Sequence, residues 1–488
     1  MRKAFSPQRR LDCSTIENVT LNLNCRDEII PILVALQHIY SDADVRDPIL
    51  QLIARDVNHD SRRDIGRHGL DDWQILVLAA VRLGCNLNYD KLQDLAEQHR
   101  ALRHIMGIGD WDVKTSFNWR RVRNTLCRLQ PETIDKISDA IVAVGHTLDP
   151  EAVKKVRADS FVVETNIHYP TESSLIYDGI RKILALSVLI AGELGISGWR
   201  QHEHLLRRVK NVATTIARIS SRKGPRYKDR RKREYRKLLK RARKILDRAK
   251  TLVNQASDRT ASIATLAQIA DLTIFIELTE RVCGTAHRRV INGETVPNSD
   301  KIFSIFETHT QLYRRGKHAK PNQFGRLVMV YEDAAGFVTH YFVLPRDAQD
   351  ADVVVDQTRV VQDRHNGRIE EASFDRGFYS PENEKRLQEI IEHPCLPKKA
   401  VSQFAEQKKT ATVRFREARQ RHPGIESAIG ALQFGNGLQR SRDRSDIGFR
   451  RYIALGILGR NLHVLGKLLI QKIAPTSKAA ESRRKPAA

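Results

Sequence analysis

Between about residue 30 and residue 150 the apolar positions recur at helical spacing. Ile29, Ile30, Ile32, Leu33 and Leu36 mark one amphipathic helix. Asp71 and Asp72 precede the apolar run Trp73–Val81, which predicts a buried helix with acids in its first turn. A third helix is predicted from Asn88 through Leu95. Thr115 or Ser116 is the expected cap of a fourth, running through Trp119, Arg120, Arg121, Val122, Arg123 and Leu126. Short helices ending in one that carries three arginines fit a helix-turn-helix reader of DNA; a helical bundle with a solvated basic face is the plainer alternative. Residues before about 30 lack periodicity and are expected to be irregular.

The texture changes near residue 154. The stretch Val156–Ile167 is rich in β-branched residues and predicts a strand. A long helical stretch is predicted from residue 175 to about 290. Strand texture returns at Arg326–Tyr331 and Phe337–Leu344, with Glu332–Gly336 as the turn of a hairpin. A helix over Ala348–Gln362, a strand ending before Asp375, a helix from Pro381, a short strand at Cys395–Leu396 and helices over Ile425–Leu432 and Ile447–Ile470 complete the pattern. This order implies an α/β domain with a mixed sheet. Residues 476–488 are rich in Ser, Ala, Lys and Pro and are expected to be a disordered tail.

Charge sharpens the picture. The 488 residues carry a formal net charge of +25, which favours a polyanionic partner. No run of about 18 apolar residues is present, so no membrane span is expected and nucleic acid becomes the leading partner. Arg222 to Lys250 holds sixteen Lys or Arg against Asp229, Glu234 and Asp247, a net of +13 and about half the charge of the chain. Leu238, Leu239, Ile245 and Leu246 recur at helical spacing within it, so an amphipathic helix is expected. Its basic residues, among them Arg230, Arg231, Lys232, Arg233, Arg236, Lys237, Lys240 and Arg241, are candidates to grip DNA phosphates, as Arg120, Arg121 and Arg123 are in the N-terminal helices. The six cysteines include no CxxC pair, and Cys283 with His287 lacks a second pair, so neither a zinc finger nor a disulfide framework is expected.

Three acids stand at distinctive places. Asp159 lies within the first strand, Asp375 just past a later strand, and Glu426 near the start of a helix. Such positions can converge on one point of a sheet. Cleaving a phosphodiester develops charge on both the attacking and the leaving oxygen, and two hard divalent ions held by carboxylates can stabilise both. Each acid also has an ordinary reading: Asp159 could pair with Arg157, Asp375 could cap the next turn, and Glu426 could be a helix N-terminal acid.

The residues around these acids resemble a known family. Ala158-Asp159-Ser160-Phe161-Val162-Val163-Glu164-Thr165-Asn166-Ile167-His168-Tyr169-Pro170-Thr171 resembles the signature around the first Asp of bacterial insertion-sequence transposases with a DDE triad. Asp375-Arg376-Gly377-Phe378 resembles their second-Asp motif. Ile425–Leu432 with Gly437–Arg442 resembles the third-acid helix, and Leu455–Leu462 the close of that domain. The likeness is greatest to the ISNCY group. Relatives often carry Arg four residues before the Glu and Lys seven after it; here His422 and Gln433 stand there, with Arg421 and Arg440 as candidate substitutes.

The resemblance implies a ribonuclease-H-like mixed-sheet catalytic domain (151–174 and 298–475) interrupted by a large basic helical insertion (175–297), behind an all-α DNA-end-binding domain (1–150). It implies Asp159, Asp375 and Glu426 as catalytic and metal-binding residues, with two Mg2+ or Mn2+ ions. The expected partner is double-stranded DNA, both the terminal inverted repeats and the target. A homodimer in the synaptic complex and a cytoplasmic, nucleoid-associated location are also expected. A simple nuclease and a catalytically inactive, transposase-derived DNA-binding protein are the alternatives.

Overall fold

Capping sets the N-terminal helices of the computed structural model, which describes residues 11–58, 69–222, 224–257, 262–314 and 321–482, with side chains through residue 473. The expectations for residues 1–10 and 483–488 lie outside the described residues. The first helices are α1 (Ile29–Ser41), α2 (Ala43–Asn58), α3 (Asp72–Gly84), α4 (Tyr89–Gln98), α5 (Arg100–Ile105), α6 (Trp119–Leu126) and α7 (Pro131–Leu148). Asp71 opens α3 by accepting from the Gln74 amide at 2.7 Å, and the Gln74 side chain answers the Asp71 amide, a capping box. For α6 the cap is Asn118, not Thr115 or Ser116. Thr115 belongs to a turn closed by its own amide on the Asp112 carbonyl, and Asn118 Oδ1 accepts from the Arg120 and Arg121 amides at 3.1 and 3.2 Å. Asn caps as well as Ser, so the sequence offered several start points.

The chain divides into two compact units, one of residues 1–166 with 326–488 and one of residues 167–325. In the first, β1 (Lys155–Glu164) is buried along most of its length, as a strand with neighbours on both sides must be. After the second unit come β3 (Gln323–Asp333), β4 (Val338–Val343), α12 (Asp350–Arg364), β5 (Glu371–Phe374), α13 (Pro381–Gln388), β6 (His393–Cys395), α14 (Val401–Thr410), α15 (Val413–Arg421), α16 (Gly424–Gly430) and α17 (Asp446–Ser482). The sheet runs β3, β1, β5, β6, with β4 paired antiparallel to β3 and with β1, β5 and β6 parallel. The chain is therefore of mixed α/β class. Asp333 makes the hairpin turn: its Oδ1 accepts from the amides of Ala335, Gly336 and Phe337 at 2.9–3.0 Å.

Helix α17 organises the core of this unit. Phe449, Tyr452, Leu455, Leu458, Leu462 and Leu465 are buried, and α1, α3 and α7 pack around them. It crosses α3 so closely that a Cβ on Gly459 would sit 2.5 Å from the Gly84 nitrogen. Asn461 is fully buried and ties β4 and α7 to α17. Its Oδ1 accepts from the Val338 amide, and its Nδ2 donates to the Val338 carbonyl and to Ser138 Oγ, all at 2.8–2.9 Å. By length and composition Asp446–Ile473 is apolar enough to cross a membrane, but 67% of its most apolar window is buried inside the protein, as in a core helix. The tail expected to be disordered from residue 476 overlaps the end of α17, which runs to Ser482.

The second unit is helical: α8 (Glu172–Glu193), α9 (His202–Ser220), α10 (Pro225–Ser257) and α11 (Ile263–Ala286), followed by the short β2 (Gln311–Tyr313). β2 pairs with Gln323–Gly325 at the start of β3. On α10, Leu238, Ala242, Ile245, Ala249 and Leu252 form a buried stripe at spacings of three and four, which joins Ile180 and Ile183 of α8 and Leu272 and Ile276 of α11 in one core.

Candidate functional site

The three acids hang on three elements that are tied to one another. In the parallel pair, Ala158 of β1 stands beside Phe374 of β5. The next residues are Asp159 and Asp375, so strand register brings these two positions of the chain to the same level where β5 ends. Asp159 is half-buried, and its Oδ1 accepts from the Ser160 amide at 2.7 Å. Asp375 is exposed at the N-cap position of a short turn, yet its side chain makes no capping bond, so the capping role the sequence allowed is not the one found. Its recorded ion pair is with Arg419 of α15 at 3.9 Å. Glu426 is exposed in the first turn of α16, which packs on β1. That helix is shorter than expected: it ends at Gly430 and continues as a π-turn, Ala431–Gly435.

What fixes α16 against the sheet is a set of side chains that sequence reading left largely unassigned. Arg157 donates from Nε to Glu332 Oε2 at 2.6 Å and from Nη1 to the Arg421 carbonyl at 3.1 Å. It thereby joins β1, β3 and the end of α15, and Gly424 lies so close that a Cβ there would meet the guanidinium. His422 is buried, with Nδ1 3.2 Å from Ser373 Oγ on β5. Burial first, and then the charge of Arg419, push its imidazole down to about 4, so it is neutral at pH 7. Beyond the π-turn, Arg440 donates to Glu164 Oε2 at 2.9 Å, and the Glu164 carbonyl accepts from the Ser441 amide at 2.8 Å. The two arginines named as candidate substitutes each hold an acid of the sheet, Arg421 that of Glu371 and Arg440 that of Glu164. These partners lie tens to hundreds of residues apart in sequence, and no local pattern announces them.

As a donor set, three carboxylates offer only hard oxygens, which suits Mg2+ or Mn2+ and not a thiophilic metal. Their spacing does not by itself form a cage. Among the described residues no three His, Cys, Asp or Glu side chains stand close enough together to hold a metal ion.

The basic candidates fall on two helices. On α6, Arg120, Arg121 and Arg123 are all exposed, and the guanidinia of Arg120 and Arg123 lie over the Trp119 ring at 5.2 and 5.7 Å. On α10, Arg230, Arg233, Arg236, Lys237 and Lys240 are exposed, while Arg231, Lys232 and Arg241 are half-buried. Lys237 pairs with Glu234 at 2.8 Å, and Arg241 donates to the Arg208 carbonyl.

No family model, no curated protein and no solved structure matches the chain.

Proposed function

We propose that this chain is a metal-dependent enzyme of phosphodiester chemistry, built on a ribonuclease-H-like sheet. Within that class, we propose a DDE transposase that cleaves DNA at the ends of its own insertion sequence and joins them to target DNA. One observation carries the reading: the parallel β1–β5 pairing ends with Ala158 beside Phe374, one residue before Asp159 and Asp375, and α16, which carries Glu426, packs on β1. A hairpin on one side of a central first strand and a parallel half on the other support the fold assignment.

In this reading Asp159, Asp375 and Glu426 hold the Mg2+ or Mn2+ ions. Asp375 and Glu426 are exposed, so their side chains can turn toward Asp159 at small rotamer cost. When bound, the ions supply positive charge at the attacking and leaving oxygens. The Arg157–Glu332 pair and neutral His422 act as positioning residues, holding α16 against the first half of β1. The arginines of α6 recognise the terminal inverted repeats, and the solvent face of α10 neutralises backbone phosphates. Pairing of two DNA ends by a homodimer, and a cytoplasmic, nucleoid-associated location, belong to the same proposal. A second reading, a DNA-binding derivative without catalysis, is favoured by the lack of a ready-made metal cluster among the described residues.

The test uses the full chain, DNA carrying the element's ends, and Mg2+ or Mn2+. Nicked ends and joined products are expected. Asp159→Asn should abolish both while end binding stays within about twofold, since only the carboxylate charge is lost. Ends cut but never joined point to a nuclease, inertness of the wild type in both metals selects the binding derivative, and cleavage by the Asn variant rejects the residue assignment.

A further inference from the structure

The basic residues of α10 do not form one surface. Lys228, Arg231, Lys232 and Tyr235 fall at i, i+3, i+4 and i+7, on one face of the helix. All four line a cavity of about 800 Å³ within the helical unit, and Arg289 and Lys301 complete its basic lining. Arg231 and Lys232 are half-buried there and Lys228 is exposed, whereas Arg230, Arg233, Arg236, Lys237 and Lys240 are exposed and lie outside the lining. We propose that this cavity is an anion site that takes the phosphate of a nucleotide, either free or within a DNA strand. The proposal goes beyond the carboxylate chemistry and does not depend on it.

Charge supports the assignment. Five cations line one cavity against two acids, Glu172 and Glu294. Glu172 is engaged by Arg289 at 2.6 Å, and Glu294 by Arg288 at 2.9 Å. Among the described residues no acid comes within ion-pair reach of Lys228, Arg231 or Lys232. The Nε of Arg231 is shut off from solvent and has no hydrogen-bond partner there. A buried donor without an acceptor is costly, and like charges sharing a partly enclosed space repel. Burial and the nearby Arg289 also hold the Lys301 ammonium below its usual range, while Glu172 opposes them. An anion entering the cavity relieves all of these at once.

Phosphate suits the donors, because Arg presents paired N–H groups to its oxygens and Lys adds point charges. The volume exceeds what one phosphate fills and lies within the usual range of small-ligand sites, about 300–1,000 Å³. Tyr235 and Val296 supply apolar wall for a sugar or base.

Calorimetry on the full chain with inorganic phosphate and with deoxyadenosine monophosphate tests this. Saturable binding of the mononucleotide is expected, weakened about tenfold or more by Lys228→Glu with Lys232→Glu, because two charge-assisted contacts are reversed. Arg236→Glu with Lys240→Glu makes the same charge change one and two turns further along the same helix, on its solvent face, and should alter mononucleotide binding less than about threefold. If the first pair unfolds the protein by circular dichroism, Lys228→Gln with Lys232→Gln replaces it, with a loss of about threefold or more expected. Displacement of a labelled short single strand by the mononucleotide identifies a strand phosphate as the source. Mononucleotide binding without displacement identifies the free nucleotide. No binding of either probe, or equal losses from the cavity pair and the solvent-face pair, overturns the proposal.

Discussion

The sheet unit and the helical unit handle charge in opposite ways. In the sheet unit, charged side chains join stretches of chain that are remote in sequence. Arg82 is 1% exposed and makes a two-pronged pair with Asp443, which is 7% exposed, while Tyr89 covers its guanidinium at 4.0 Å. Arg157 links Glu332 to the Arg421 carbonyl, and Arg440 links the end of β1 to the segment after α16. In the helical unit, α10 carries most of its cations without acidic partners, three of them lining the cavity and others exposed outside it. Charge in the first unit fixes geometry. Charge on α10 of the second is mostly left without an acidic partner among the described residues. The same residue type therefore carries different consequences in the two places, and substitutions can tell them apart.

The largest effect is expected where geometry serves chemistry. Asp375→Asn or Glu426→Gln should lower metal-dependent cleavage on the order of 10³-fold or more with little change in thermal stability, because both side chains are exposed. Single-turnover cleavage assays beside thermal melts check this; a variant that keeps wild-type rates removes its residue from the site. Next comes Arg82→Met. It strands Asp443 in a buried place and should cost ~3–5 kcal/mol of unfolding free energy, read by denaturant titration. A cost under about 1 kcal/mol would mean that Asp443 finds another partner or water. The matched change in the other unit is Arg233→Gln with Arg236→Gln and Lys240→Gln. Stability should move by less than about 0.5 kcal/mol per site. Duplex affinity should fall, and the slope of log affinity against log salt should shrink by roughly 2–3, near 0.9 per lost phosphate contact. An unchanged slope would show that the solvent face of α10 does not meet the DNA backbone.

The contrast also explains what could be read from sequence. Strands β1, β3 and β4 were legible because Val162 and Val163, Val328 and Val330, and Val338, Thr339 and Val343 cluster β-branched residues in each. The buried stripe of α10 was legible in part, since Leu238, Ile245 and Leu246 repeat at helical spacing. Which of its cations line the cavity was not legible, because Lys232 and Arg236 stand one turn apart on one ridge and Arg289 and Lys301 come from beyond α11. The three acids could be picked out by their places within one strand, just past another and at a helix start. Their supports could not: Arg157 and Glu332 are separated by 175 residues, and Arg82 and Asp443 by 361. Three-residue β2 exists only through its pairing with Gln323–Gly325. Helices α14 and α15 went unread because they are polar; α14 has no buried residue and α15 only Ala418. The cap of α6 was misplaced because residues 115, 116 and 118 can all cap a helix.

The smallest effect expected is a pH dependence that belongs to the sheet unit. His340, His365, His422 and His463 are each pushed down to about 4, burial being the largest cause in every case. Their folded-state values lie below the unfolded value of about 6.5. The folded state then prefers the neutral ring, and the stability this contributes is complete above pH 6.5 and is lost as pH falls toward 4. Asp71 and Asp135 act the other way: burial raises both to about 6, so the folded chain takes up their protons first and gains stability over the same window. Burial also raises Asp139 and Glu332, but between pH 7 and pH 5 the four imidazoles of the unfolded chain, near 6.5, take up protons ahead of the folded chain's carboxyls, which leaves a net loss on acidification. The thermal midpoint should decline from pH 7 to pH 5, and replacing His422 by Asn, which keeps a polar group near Ser373 but cannot titrate, should flatten the decline. A midpoint that rises over that interval would mean that the buried carboxyls outweigh the four rings.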